Sequence, residues 1–286
     1  MRSYERMMDL ILQVAMEDER VRAVGMNGSR ANPNANQDIF MDYDIAYLVT
    51  DLESFIIDPD WINVFGERII MQKPDESVLY PSQPRNRFAY LMLFTDRNRI
   101  DLTLIPAEDK LRFCREDSLT VILLDKDDAM PDLAPPSDRH YWIKPPSAEM
   151  YADCCNEFWW VTTYVAKGLW RNESIYAHDH MDICRKMLLK MLDWEVGMKH
   201  GYSISLGKSG KHLQRYAGED IYQKLLHTYS NGNVPSVWEA LSLMIELFRS
   251  TSRKVAAGHK FSYPNEEDRR VTQYLMHVRS LPSDKR

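Results

Sequence analysis

Gly28-Ser29 and Asp42-Tyr43-Asp44 decide the fold that we predict for the first half of this chain. An apolar run over residues 21–26 leads to the Gly-Ser pair, and a second apolar run over 45–49 follows the aspartates. Residues two apart in a strand point to the same face, so Asp42 and Asp44 should project together, about 7 Å apart. Carboxylates this close repel each other unless a cation or a proton lies between them.

These two features together are typical of a site that binds a metal–nucleotide complex. Hard oxygen ligands suit Mg²⁺, which keeps several waters and shares its remaining positions with substrate phosphates. A glycine turn lets backbone N–H groups come close to a phosphate. The alternative is a surface turn, where an Asp-x-Asp pattern is common and binds nothing. The spacing favours phosphoryl or nucleotidyl transfer, as a hypothesis that needs structural context.

Asp101 is a third candidate carboxylate. The apolar runs 88–94 and 100–105 flank the polar stretch 95–99, a pattern that predicts a β-hairpin with a five-residue loop. If the second of these strands lies beside the strand of Asp42 and Asp44, three carboxylates converge. Three carboxylates can hold two Mg²⁺ ions, or hold one and leave a base for the attacking hydroxyl. Both roles stay open for Asp101.

Composition and charge indicate an ordinary globular protein and argue against several classes of ligand. A chain of 286 residues with 44% hydrophobic and 27% charged residues is long enough for one large or two medium domains. Its net charge of −6 argues against nucleic-acid binding through a basic surface and suits a cationic small-molecule substrate. No apolar run is long enough to predict a membrane span, and the first residues lack a signal-peptide core, so we expect a cytoplasmic protein. Its 4 cysteines show no metal-binding spacing and are expected to be free thiols.

The pattern along the chain predicts an α+β protein with two domains. Strands alternate with helices over residues 1–130, which indicates a mixed sheet with helices, including a short helix capped by Asp58. Residues 131–146 are rich in proline, which excludes a helix or a central strand, and form the predicted connector. Amphipathic segments with short connections predict a helical bundle over 147–286, in which Gly168 ends the first helix.

Two lysines in the second half are candidates for binding phosphate. Gly207-Lys208-Ser209 resembles the end of a P-loop, but Tyr202 stands where that motif needs its first glycine, so a P-loop is rejected. Lys208 and Lys211 in a glycine-rich turn can still meet a triphosphate. A solvated lysine turn is the equally simple alternative.

Acidic residues in the second half are candidates for binding a cation. Asp153 and Glu157 lie four residues apart, on one face of a predicted helix. Spacing alone favours a solvated acidic stripe, whereas the functional interpretation is a wall that pairs with guanidinium or ammonium groups. Asp179 is a third candidate, in a cluster expected to face inward. Its flanking histidines, two apart on a helix, diverge too far to predict a zinc site.

Several separate blocks, in order and spread over essentially the whole chain, resemble the aminoglycoside 6-adenylyltransferases. They are Met1-Arg2-Ser3, Asp18-Glu19-Arg20-Val21-Arg22, Gly28-Ser29-Arg30-Ala31-Asn32, Asp42-Tyr43-Asp44-Ile45, Ile70-Met71-Gln72-Lys73-Pro74, Ile100-Asp101-Leu102-Thr103-Leu104, Asp153-Cys154-Cys155-Asn156-Glu157-Phe158-Trp159 and Tyr164-Val165-Ala166-Lys167-Gly168-Leu169. The resemblance implies a first domain of the polymerase-β nucleotidyltransferase type. It also implies Mg²⁺-dependent transfer of AMP from ATP to a hydroxyl of streptomycin, expected at position 6, which gives antibiotic resistance.

The resemblance also assigns roles to residues. Gly28 and Ser29 match the phosphate-binding turn, Asp42 and Asp44 match the metal carboxylates, and Asp101 matches the third acidic residue. Further expected contacts are Arg30, Lys208 and Lys211 on the triphosphate, and Asp153, Glu157, Trp160, Trp170 and Asp179 on the drug. Asn27 stands where many relatives have Glu, a departure that can affect the turn but from which we expect no loss of activity.

Two other functions remain open beside the one that the resemblance implies. The enzyme can act on another acceptor, either a protein hydroxyl or an RNA 3′ end, although the acidic charge argues against RNA. The chain can instead be a nucleotide-binding protein without catalysis, although three close carboxylates argue against this. We expect a monomer that binds no nucleic acid and no membrane.

Overall fold

The computed structural model describes residues 1–80 and 86–282, and the chain divides into two compact units, Met1–His140 and Tyr141–Arg286. The division falls inside the segment 131–146 that we predicted as the connector. Within the described residues, no helix combines the length and the apolar content needed to cross a membrane.

The first unit is built on a mixed sheet, as predicted. Its elements are α1 (Tyr4–Glu17), β1 (Val21–Met26), α2 (Gly28–Ala31), β2 (Tyr43–Val49), α3 (Leu52–Ile57), β3 (Arg68–Gln72), β4 (Phe88–Phe94), β5 (Arg99–Pro106), α4 (Lys110–Glu116) and β6 (Val121–Asp125). The described strands form a six-stranded sheet in the order β3-β4-β5-β2-β1-β6. Within it β2 and β5 are parallel, and the other neighbouring strands are antiparallel.

The two faces of this sheet are covered unequally. On one face Ile45, Tyr47 and Val49 of β2 join the main core with α1, where the Tyr47 hydroxyl donates to the Ile11 carbonyl at 2.5 Å. On the other face a smaller cluster forms around Phe113 of α4. Because side chains alternate along β2, Asp44 lies on this second, less covered face.

Two local predictions in the first unit are wrong. Asp58 does not cap a helix: its carboxylate accepts from the Asp60 N–H at 3.2 Å in a turn, and a 3₁₀ helix follows over Trp61–Phe65. The cap belongs to Asp51, whose carboxylate accepts from the Ser54 N–H and begins α3. The hairpin loop is also one residue shorter than predicted, because Arg99 already pairs with Leu93.

The second unit is helical, as predicted. Its helices are α5 (Ala148–Trp170), α6 (Ser174–Lys199), α7 (Leu213–Ala217), α8 (Glu219–Leu226), α9 (Val234–His259) and α10 (Asn265–Ser280). Phe158 of α5 stacks on Phe248 of α9 with ring centroids 3.6 Å apart, inside one core shared with α6. The cysteines are free thiols, as predicted, and all but Cys114 are buried.

Gly168 does not end α5, which continues to Trp170. A Cβ at Gly168 would lie 2.9 Å from Tyr176 Cδ1 and 3.3 Å from Ala177 Cβ on α6. Glycine is therefore needed there for the close approach of two helices and not as a helix stop.

Candidate active site

Strand register brings two of the three predicted aspartates together. β2 runs parallel to β5, and Asp44 is the register partner of Asp101. Asp42 directly precedes β2, two residues before Asp44, and so continues the same face of the strand. We call Asp42, Asp44 and Asp101 the carboxylate site.

Gly28 packs directly on the carboxylate site. It follows β1 after one residue, with φ at +70°, and a Cβ there would lie 2.6 Å from Asp44 Cγ and overlap the carboxylate. The preceding Asn27 donates its N–H to the Asp44 carbonyl at 2.9 Å. Its Oδ1 is buried and finds no hydrogen-bond partner among the described residues. The Gly-Ser turn is therefore tied to β2 through both backbone and packing.

Burial and repulsion between neighbouring carboxylates raise the pKa values of Asp42 and Asp44. Burial, together with the charges of Asp101 and Asp42, raises the pKa of Asp44 to about 6. Burial is also the main reason that the pKa of Asp42 is raised, although Arg99 opposes the shift. Clustered carboxylates that resist ionisation in the absence of a counter-charge fit a hard divalent cation by the chemistry of their oxygens.

Arg99 supplies the counter-charge in this structure. Its Nε and Nη2 donate to the two Asp101 oxygens, each at 2.7 Å, and its Nη1 lies 3.5 Å from Asp42 Oδ2. The described residues contain no group of three or more acidic, histidine or cysteine side chains set to hold a metal. We did not predict Arg99, although its place two residues before Asp101 on a strand was an available signal.

Arg30 supports the segment that carries Asp42. Its Nε donates to the Asp42 carbonyl at 3.0 Å and its Nη2 to the Met41 carbonyl at 2.7 Å. The guanidinium also lies over the Tyr43 ring, 3.8 Å from its centroid. These contacts hold Arg30 against the backbone, and the predicted contact with phosphate stays a prediction.

The candidate phosphate-binding lysines belong to the second unit. Lys208 begins a short 3₁₀ turn and Lys211 follows it, and both side chains are exposed. The Lys211 side chain crosses Gly207 so closely that a Cβ there would lie 2.8 Å from Lys211 Cγ. The turn is thus glycine-dependent, and its role on phosphates stays a prediction.

Three of the predicted drug-binding residues share one face of α5. Asp153, Glu157 and Trp160 are all exposed and follow helical spacing, and Tyr164 continues the row one turn later. The Trp160 Nε1 donates to the Tyr164 hydroxyl at 2.7 Å, which orients an indole that is 58% exposed. We call these four residues the acidic–aromatic stripe.

The other two candidates lie outside the stripe. Asp179 on α6 is exposed and does not face inward as expected, while the adjacent His180 contacts the Tyr164 ring at 5.3 Å. Trp170 packs partly buried against the bundle core, and its Nε1 donates to the Pro282 carbonyl at 3.2 Å. The structure therefore places His180, the neighbour of Asp179, against Tyr164 of the stripe, and Trp170 in the core packing.

A mixed sheet with paired carboxylates beside a glycine turn is the arrangement of a nucleotidyltransferase. The chain belongs to the streptomycin adenylyltransferase family, whose model matches residues 1–278. The predicted family and the predicted enzyme class, a nucleotidyltransferase, are thereby confirmed.

Relatives match over almost their full length. The chain is 46% identical over 278 residues to an aminoglycoside 6-adenylyltransferase of Bacillus subtilis, covering 96% of this chain and 97% of that protein. It is 43% identical over 277 residues to one of Campylobacter jejuni, covering 96% of each. A crystal structure of an aminoglycoside 6-adenyltransferase from Bacillus subtilis, 40% identical, covers 98% of this chain and 100% of that chain at a TM-score of 0.49.

Proposed function

We propose that this enzyme transfers AMP from ATP to the 6-hydroxyl of streptomycin, releases pyrophosphate and so confers resistance to the drug. The family is named for streptomycin, and the similar proteins are named aminoglycoside 6-adenylyltransferases. The observation that carries the proposal is the β2–β5 register, which sets Asp44 beside Asp101 and next to Gly28. We also propose that the enzyme acts in the cytoplasm and as a monomer.

The carboxylate site is proposed to hold Mg²⁺ through Asp42, Asp44 and Asp101. When bound, Mg²⁺ neutralises charge on the triphosphate and on the leaving pyrophosphate. Gly28 leaves room beside Asp44 for the nucleotide, and the turn it forms with Ser29 offers backbone N–H groups to a phosphate. Additional triphosphate contacts are assigned to Arg30, Lys208 and Lys211.

The reaction is an in-line displacement at the α-phosphorus of ATP. The drug hydroxyl oxygen forms a bond to that phosphorus, and the bond from the phosphorus to the bridging α–β oxygen breaks. The hydroxyl proton passes to a carboxylate of the site. Asp101 is proposed either as this base or as the third ligand of the metal ion. Positioning and neutralisation of charge supply most of the acceleration in reactions of this type.

The acidic–aromatic stripe is proposed to bind the guanidinium groups of streptomycin. Asp153 and Glu157 offer carboxylates one helical turn apart, which can each accept a guanidinium through paired hydrogen bonds. Trp160, already oriented by Tyr164, offers an indole face for a cation–π contact. Asp179 and Trp170 are proposed as additional contacts.

The test is AMP transfer by the purified chain. Pyrophosphate release is measured with ATP, Mg²⁺ and streptomycin, with mass spectrometry of the drug and NMR to identify the modified hydroxyl. Asp42→Asn is the inactive variant, and Asp9→Asn on the exposed side of α1 is its matched control. We expect wild type and Asp9→Asn to add one AMP at the 6-hydroxyl and Asp42→Asn to add none.

Three results would contradict the proposal. Full activity in Asp42→Asn would remove the carboxylate site from the mechanism. Transfer to another acceptor but not to streptomycin would correct the substrate. Absence of metal-dependent ATP turnover with a panel of aminoglycosides would favour a protein that binds nucleotide without catalysis.

A further inference from the structure

Arg99 joins two of the three carboxylates at the carboxylate site. Its fork engages both Asp101 oxygens at 2.7 Å, and its remaining nitrogen lies 3.5 Å from Asp42 Oδ2. One guanidinium therefore holds together a strand residue of β5 and the residue that precedes β2. The Arg99 guanidinium therefore pairs with the same carboxylate oxygens that are proposed to bind a metal ion.

A divalent cation at this site needs the same oxygens. Mg²⁺ takes oxygen ligands at about 2.0–2.1 Å in near-octahedral geometry. Both oxygens of Asp101 already accept charge-assisted hydrogen bonds from Arg99. A guanidinium and a divalent cation on the same carboxylates also repel each other. Metal binding to Asp42 and Asp101 thus competes with their pairing to Arg99.

Arg99 is placed so that it can leave. Its side chain is 42% exposed, and it is the first residue of β5, directly after the hairpin loop. A long side chain at this position can change rotamer without disturbing the strand pairing that holds Asp101. Guanidinium groups pair as readily with phosphate as with carboxylate, so the negative charge of an arriving nucleotide offers an alternative partner.

We propose that Arg99 is a displaceable internal cation, which holds Asp42 and Asp101 in the metal-free enzyme and moves to a nucleotide phosphate when the metal binds. This inference rests on the proposed function, since it assumes a metal–nucleotide complex at the carboxylate site. Arg99 has two opposing effects on ligand binding. It weakens the binding of free metal, and it strengthens the binding of the metal–nucleotide complex.

The experiment measures Mn²⁺ binding to the full chain without nucleotide, by electron paramagnetic resonance, and separately the KM for ATP. Arg99→Gln removes both the positive charge and the two parallel N–H donors of the guanidinium. Arg99→Lys keeps the charge but cannot donate two parallel hydrogen bonds to one carboxylate. Arg97→Gln is the matched control, because this exposed arginine of the same hairpin has no side-chain hydrogen bond or ion pair with any described residue. Circular dichroism checks that each variant folds.

We expect Arg99→Gln to bind Mn²⁺ about tenfold more tightly, as loss of one charge-assisted pair implies, while its KM for ATP rises. Arg99→Lys should also bind Mn²⁺ more tightly than wild type, by about threefold, because its single ammonium cannot engage both Asp101 oxygens. Arg97→Gln should match wild type in both measurements. Opposite changes in metal affinity and in KM would not arise from a structural role alone.

Several results would overturn the inference. Equal tightening in Arg97→Gln and Arg99→Gln, with Arg99→Lys like wild type, would show a general charge effect. Unchanged or weaker Mn²⁺ binding in Arg99→Gln, with binding in wild type, would remove Arg99 and leave the proposed function intact. Lack of Mn²⁺ binding in every variant would also overturn it, and AMP transfer by wild type would then tell whether the proposed function fails too.

Discussion

The carboxylate site and the acidic–aromatic stripe both offer carboxylates, the first from paired strands and the second from an exposed helix face. At the carboxylate site, strand register fixes Asp44 opposite Asp101, and burial raises the pKa of Asp44 to about 6. On the stripe, Asp153 and Glu157 extend from one exposed helix face. Rigid, desolvated carboxylates suit chemistry that depends on geometry, while exposed carboxylates suit a flexible cationic ligand. The two regions should therefore respond to mutation by very different amounts.

The largest expected effect is that of Asp44→Asn. Loss of one partly buried carboxylate should lower the rate of AMP transfer by about a thousandfold, if the site neutralises charge at the phosphates as proposed. The matching change on the stripe, Glu157→Gln, should change the rate by less than about tenfold. Steady-state kinetics with streptomycin compares the two variants. Comparable losses would mean that the two regions do not differ as we describe.

A smaller loss is expected from Gly28→Ala. The new Cβ would overlap the Asp44 carboxylate, and a displacement of about 1 Å at a reacting group can lower the rate about a hundredfold. Gly201→Ala is the matched control, because Gly201 has a similar φ of +61° but open space around a Cβ.

Both glycine variants should lose about 1 kcal/mol of folding stability from the left-handed backbone conformation. Only Gly28→Ala should also lose activity. Urea unfolding and AMP-transfer kinetics on the same preparations separate the two effects. Equal activity in the two variants would show that the contact between Gly28 and Asp44 is not needed for catalysis.

The pH dependence of folding stability should reveal the partly buried carboxylate of Asp44. The pKa of Asp44 is raised from its usual value to about 6, so the folded state keeps a proton that the unfolded state releases. Stability is therefore lost as pH rises, by about 2 kcal/mol from this group between about pH 4 and pH 6. Urea unfolding in the presence of a chelator should show that Asp44→Asn removes this loss.

Asp193→Asn provides the comparison in the second unit. Burial raises the pKa of Asp193 to about 6 as well, although Lys190 opposes the shift. Asp193→Asn should remove a loss of folding stability of similar size and leave the loss caused by Asp44 unchanged, as urea unfolding over the same pH range can show. An Asp44→Asn profile that parallels wild type would mean that Asp44 titrates as an ordinary exposed carboxyl.

Much of the carboxylate site could be predicted because it follows from strand periodicity. Asp42, Asp44 and Asp101 each interrupt or precede an apolar strand, and alternation places Asp42 and Asp44 on one face. Asp101 joins them through the pairing of β2 with β5. The ion pairs of Arg99 could not be predicted in the same way. Spacing along β5 puts Arg99 on the same face as Asp101, but the pairing also needs a particular side-chain rotamer, and the contact with Asp42 needs the pairing of β2 with β5.

The wrong predictions share a physical cause. Gly168 resembles a helix stop by residue type, but contacts with Tyr176 and Ala177 across the bundle determine its role. Asp58 followed by Pro59 resembles a helix start, but the Asp58 carboxylate accepts from the Asp60 N–H in a turn, and the 3₁₀ helix that follows begins only at Trp61. Local propensity is a weak guide where tertiary contacts compete with it.

The smallest expected effect is on the stripe itself. Asp153→Asn and Glu157→Gln should each raise the KM for streptomycin by about two- to fivefold with little change in kcat, because exposed ion pairs contribute at most about 1 kcal/mol. Glu239→Gln on the exposed side of α9 is the matched control for loss of charge. Steady-state kinetics at low and high salt measures the effect, which should shrink as salt screens the charges.

The double variant sharpens the comparison between the two regions. If each stripe carboxylate pairs with its own guanidinium group, the two increases in KM should multiply, since independent contacts are additive in free energy. A KM like that of Glu239→Gln would place drug binding elsewhere on the chain. A fall in kcat as large as that of Asp44→Asn would instead make the stripe part of the chemistry, and the distinction between rigid and exposed carboxylates would no longer hold.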